Sequence, residues 1–156
     1  MRSRILFFIL FILAASCVTV ELCDESYDSE LVARLKTVKD GEVTDSTVAA
    51  LTLWGIREGL SDSLLYDALP TSGFAVPLDP HHDFSSFVLQ IDTLSDTLTV
   101  YHDFETYMVS YNCAYANLFT LSHIEYKGGI IKSDTILSEM IDAEYEENEE
   151  HIWLYL

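Results

Sequence analysis

Apolar and polar residues alternate most densely between Phe87 and Ser122, FVLQIDTLSDTLTVYHDFETYMVSYNCAYANLFTLS. Phe87, Leu89 and Ile91 alternate with Val88, Gln90 and Asp92, and Leu98 and Val100 with Thr97 and Thr99, the two-residue period of a strand with unlike faces. Turn formers at Leu94-Ser95-Asp96, Asp103-Phe104-Glu105 and Asn112-Cys113-Ala114 divide the stretch. The pattern predicts a β-meander with antiparallel strands at roughly 87–93, 97–102, 107–111 and 117–122.

Outside this stretch the spacing reads as helical. Asp28 to Asp40 places Leu31, Val32, Leu35 and Val38 on one face, with Asp28 or Ser29 as N-cap and Gly41 as the stop. Thr47 to Leu60, capped by Asp45-Ser46, turns Val48, Leu51, Ile56 and Leu60 inward and leaves Arg57 to solvent. A third helix is predicted from Ser133 or Asp134 to about Asn148, its acidic end fraying against the helix dipole. His151 to Leu156 reads as a closing strand. Pro70, Pro77 and Pro80 make residues 61–86 a connector, with short extended pieces at Leu65–Asp67 and Phe74–Leu78. The expected class is therefore α+β: an antiparallel or mixed sheet with a central β-meander, flanked by two or three helices.

Charge and the N-terminus change the picture. Arg2 and Arg4, the apolar run Ile5 to Leu13 and the small residues Ala14-Ala15-Ser16 form a secretory signal peptide over residues 1–16, cut somewhere near 16–20. The alternative is a lipoprotein signal ending at Cys17, with Ala14 where such signals favour Leu. Residues 24–156 then form a single, secreted domain with no membrane span. The net charge is −18, and loss of Arg2 and Arg4 leaves six basic residues against 26 acidic ones, or −20. Such a surface repels nucleic acid, whose recognition rests on Lys and Arg at phosphates. A cationic or protein partner suits it better.

Three cysteines leave two open arrangements in an oxidising compartment: a Cys23–Cys113 bridge, if cleavage removes Cys17, or free thiols. No cysteine spacing forms a zinc site, and no cofactor is expected. His81-His82-Asp83 carries metal-capable side chains but reads as a solvated loop. No G-x-S-x-G elbow, Walker loop or H-E-x-x-H helix is present.

The order F-V-L-Q-I-D, a polar turn, T-L-T-V-Y-H-D, then E-T-Y-M-V-S-Y and L-F-T-L-S resembles the N-terminal sheet of ribosome-inactivating proteins, the ricin A chain and Shiga toxin A group. L-W-G-I-R-E-G-L at Leu53 to Leu60 resembles that family's first long helix, with Arg57 where the helix carries an Arg, so the likeness covers about residues 50–122. It implies an rRNA N-glycosylase toxin that inhibits translation by flipping and removing one adenine of ribosomal RNA. Tyr107 would be the adenine-stacking ring and Met108 the backbone that reads the base edge, although Glu105 stands for the usual Asn and Ser110 for a Gly. The downstream Glu and Arg that perform the hydrolysis are missing. Ser138-Glu139 is followed by Asp142 where the Arg would stand, so no catalytic residue is carried over. The resemblance thus implies a truncated chain inactive by itself; the alternative is a small acidic secreted binding protein with no enzymatic activity.

Overall fold

A computed structural model describes residues 29–57, 59–110, 114–143 and 149–156. Eleven strands and no helix occur among the described residues: β1 (Glu30–Lys39), β2 (Glu42–Asp45), β3 (Val48–Ile56), β4 (Ser63–Thr71), β5 (Gly73–Pro77), β6 (Phe84–Ile91), β7 (Leu94–Ser110), β8 (Ala114–Lys127), β9 (Ser133–Ile136), β10 (Met140–Ile141) and β11 (Ile152–Tyr155). They build two sheets. One runs β2-β1-β11-β9 with β5 also paired to β1, and the other runs β10-β8-β7-β6-β3-β4. The α+β expectation is overturned: the protein is all-β.

Each expected helix gives way for a physical reason. Over residues 28–40, the apolar spacing also fits a strand buried on both faces, and strand β1 occupies Glu30–Lys39 of it. Leu31, Ala33 and Leu35 are fully buried on one face, while Val32 and Lys36 are buried on the other. Both edges of β1 are paired, parallel to β11 on one side and antiparallel to β5 and then β2 on the other. Central placement of this kind produces near-continuous apolar runs in strands. In β3, Leu51 and Leu53 point inward at 0% exposure and alternate with the half-buried Thr52 and Trp54, a two-residue period that the helical reading passed over. The third predicted helix is replaced by β9 and β10, and residues 144–148 of it lie outside the described residues.

The meander is present as β6, β7 and β8, with different boundaries. Its first turn is the two-residue loop Asp92-Thr93, with Ile91 opposite Leu94 and Asp92 at φ 56°. Asp96 is therefore a strand residue. No turn exists at Asp103-Phe104-Glu105, because β7 continues to Ser110 with β8 beside it throughout. The register slips twice, between Met108 and Ser110 and, within the packed part of the ladder, where Tyr101 faces His123 and His102 faces Leu121; the latter leaves Ser122 as the extra residue of a bulge, its hydroxyl donating to the Tyr101 carbonyl at 3.1 Å. A bulge exchanges the faces of a strand beyond it. Ile124 and Tyr126 thus pack on the core on one side of the slip, and Leu121 and Phe119 on the other. The expected turn at Asn112-Cys113-Ala114 falls largely on residues 111–113, outside the described residues, as do Cys23 and Cys113 and the signal peptide.

The two sheets share one core. Leu31, Leu35, Val76, Ile152 and Leu154 of the first meet Leu51, Leu53, Phe87, Leu89 and Leu98 of the second. Each such side chain contributes roughly 1.5–3 kcal/mol relative to exposure. Pro70 and Pro77 are accommodated because β4 pairs only with β3 and is an edge strand, and because Pro77 is the last residue of β5.

Candidate functional site

A cleft of about 490 Å³ opens where β3 and β5 end and β4 and β6 begin. Its walls are apolar: Ile56, Leu60, Leu65, Leu78, Phe84 and Phe87. Arg57, Asp79, His81, His82 and Ser85 supply its polar groups. The volume lies within the roughly 300–1,000 Å³ typical of small-molecule sites, and apolar walls with few polar groups are their usual composition.

Ser85 is 6% exposed and His102 2% exposed, and the two are joined by a 2.9 Å hydrogen bond between Ser85 Oγ and His102 Nε2. The Asp79 N–H donates to the same Oγ at 2.7 Å. His102 Nδ1 is buried with no partner among the described residues. That orphan decides the tautomer. A proton on Nδ1 would be a buried donor without an acceptor, which folded proteins rarely tolerate, whereas a bare Nδ1 lone pair is the lesser fault. Nε2 therefore carries the proton and donates to Ser85. Burial, opposed by Asp79, Asp103 and Asp83, pushes the pKa of His102 down and keeps the ring neutral. His102 already has a hydrogen on the nitrogen that faces Ser85, so it cannot take one from that hydroxyl. Ser85 accepts two hydrogen bonds and retains its own O–H for a further acceptor.

Asp79 fixes the loop above this floor. It accepts the His81 N–H at 2.8 Å on Oδ1 and meets His82 Nδ1 at 2.9 Å on Oδ2. Partial burial raises its pKa, but the His82 ring, the His81 N–H and the charges of both histidines outweigh that and hold it below the ordinary carboxylate value. His81 and His82, expected in a solvated loop, are exposed and line the cleft. Arg57 is exposed and lines it too, its Nη2 donating to the Ser61 carbonyl at 3.2 Å.

The residues singled out by resemblance lie elsewhere. Tyr107 is half-buried on β7 opposite Ala116, and Met108, 56% exposed, faces Tyr115. Neither lines the cleft. Glu139 is exposed between β9 and β10, its carbonyl accepting the Leu121 N–H. Sequence reasoning did not single out Ser85 or His102. The signal for His102 was available, because it continues the inward series Leu98, Val100 by one more step of two.

The arrangement defines a two-sheet β-protein with an apolar cleft at the strand ends. The chain belongs to the family described as Family of unknown function (DUF6452), matched over residues 50–156, which takes in nearly all of β3 and every strand after it. No curated protein matches, and no solved structure matches. The resemblance to ribosome-inactivating proteins is thereby corrected: the family found is a different one, and Leu53 to Ile56, which resembled the start of a long helix, is the end of strand β3.

Proposed function

We propose that the mature chain is an exported acidic binding protein without enzymatic activity, and that the cleft beside β6 is its ligand site. The observation that supports this reading most is the cleft itself: apolar walls over a polar floor whose serine has no base. The leader at residues 1–16 supports export. A mature charge of −20 supports a cationic or protein partner for the outer surface and works against nucleic acid.

Two measurements test the proposal. N-terminal sequencing of secreted material is expected to begin between Cys17 and Val20; a start at Met1 defeats the export part. Titration with the neutral apolar dye Nile red is expected to saturate at one site and to weaken in Ile56→Glu, which places a charge on the 39%-exposed cleft wall. Unchanged dye binding in that variant would remove the cleft as the site.

A further inference from the structure

Two polar groups of the cleft, Arg57 and Ser85, have donors to spare. Arg57 has five N–H donors and spends one on the Ser61 carbonyl, its only hydrogen bond among the described residues, where it also makes no ion pair. Ser85 keeps a hydroxyl proton after accepting from Asp79 and His102. The one carboxylate of the lining, Asp79, is already taken up by His81 and His82. The site therefore offers donors and a positive charge.

That is unusual for this chain. Acidic residues outnumber basic ones 26 to 8, and both cationic side chains on the outward face of β1 have acidic partners, Arg34 with Glu150 and Lys36 with Asp45 and Glu150. Arg57, like Lys39, Lys127 and Lys132, has none among the described residues, and of these four it is the one that lines the cleft, beside Ile56 and Leu60 at an apolar opening.

On the reading that the cleft is a ligand site, we infer that it takes a small apolar monocarboxylate, a single alkyl or aromatic body ending in a carboxylate. The body lies against Leu65, Leu78 and Phe87, and the head meets the Arg57 guanidinium. A guanidinium fork matches a carboxylate in two parallel hydrogen bonds, which an ammonium cannot reproduce. The overall negative field does not prevent this. At physiological salt, charges farther than about 8 Å apart are largely screened, so the local cation decides the sign that the head group meets.

The test is displacement of Nile red from the folded mature chain by decanoate, decanol and decylamine at pH 7.5 and 0.15 M salt, read as apparent Kd. Decanoate is expected to bind tighter than decanol by roughly ten-fold to a hundred-fold, as a charge-assisted hydrogen bond implies, with decylamine weakest. Arg57→Gln should bring decanoate to the decanol value and leave decanol unchanged. Leu60→Ser, at a 68%-exposed wall residue, should weaken decanoate and decanol together without unfolding the chain. Equal binding of decanoate and decanol, or an undiminished preference in Arg57→Gln, overturns the carboxylate assignment and leaves the ligand site standing. Failure of all three amphiphiles to displace a dye that does bind also overturns the assignment. Absence of dye binding as well overturns both.

Discussion

His151 and Val32 hold each other through two hydrogen bonds, one in each direction: the Val32 N–H donates to His151 Nδ1 at 3.0 Å, and the His151 N–H donates to the Val32 carbonyl at 3.0 Å. The first bond requires Nδ1 to be bare, so the ring is neutral with its proton on Nε2, which faces Glu149 at 3.7 Å. Burial, opposed by Glu149 and Asp142, pushes the pKa of His151 down.

Two buried histidines, His102 and His151, are thus lowered. Unfolded, each binds a proton below its ordinary value of about 6.5; folded, each does so only at lower pH. The unfolded state therefore holds more protons in that window, and stability falls as pH drops below 6.5 towards the folded values. Urea unfolding of the protein is expected to show a lower midpoint at pH 5.5 than at pH 7.5. His151→Phe should lose about 1–3 kcal/mol at pH 7.5, the cost of an unpaired buried N–H, and show a shallower pH dependence. Equal midpoints for the parent chain at the two pH values would refute the account.

Asp96 is 1% exposed and accepts N–H groups from Gly129, Ile130 and Ile131, the last at 2.8 Å, so one carboxylate anchors the turn that follows β8. Burial raises its pKa, but the three N–H groups, helped by the Lys132 charge, outweigh this and lower it. Its contribution is present above the ordinary Asp value and is lost as pH falls through the folded one, a more acidic window than that of the histidines. Asp96→Asn is expected to cost roughly 1.5–3 kcal/mol at pH 7, because an amide presents N–H donors where N–H donors already point. Gly128→Ala tests the same fit, since a Cβ there would land on the Asp96 carboxylate and the Ser95 carbonyl. Wild-type urea midpoints for both variants would show that the anchor carries no stability.

The loop between β1 and β2 is Asp40-Gly41, with Lys39 opposite Glu42 and φ values of 54° and 84°. Both residues are left-handed, as a two-residue hairpin with the twist of its strands requires. Gly41→Ala is expected to cost about 1 kcal/mol or more. Gly41 has nothing within 4 Å of an added Cβ, so the whole loss comes from the backbone. Gly41→Asn should recover part of it. Thermal unfolding of the three chains checks the order Gly, Asn, Ala.

Removing the Ser85 hydroxyl leaves the Asp79 N–H and the His102 Nε2–H without acceptors. Ser85→Ala should therefore destabilise by roughly 1–3 kcal/mol per unpaired group. His102→Phe keeps the edge contact with Phe119, 5.1 Å between centroids, and removes the orphaned Nδ1. It is expected to cost less than Ser85→Ala. The opposite order in chemical unfolding would contradict the tautomer deduced here.

The legible and illegible parts of this chain differ in how far apart their determinants lie. The meander was legible because Phe87, Leu89, Leu98 and Val100 repeat at the strand period and face one core. Its middle turn was misplaced because Asp103, Phe104 and Glu105 lie where β7 is exposed on both faces, and polar strand residues there look like a turn. β1 was read as a helix because its burial on both faces depends on β11, more than a hundred residues away. A local signal against the helix existed: Asp-Gly at 40–41, read as a helix stop, is a hairpin loop. The cleft could not be read at all, since Arg57 and Ser85 are brought together only by the pairing of β3 with β6.

The parallel ladder joining residues 33–36 to 152–155 sets the order of events during folding. β1 sits in the middle of its sheet, yet its neighbour β11 is synthesised last of the strands described, so the first sheet stays incomplete while most of the chain emerges. Contacts of such long sequence separation slow folding, to times on the order of milliseconds to seconds in all-β domains. On the proposal that the chain is exported, that delay is useful: β1 can pair with β2 and β5 early, but its sheet stays open on the β11 side until the last strand is made.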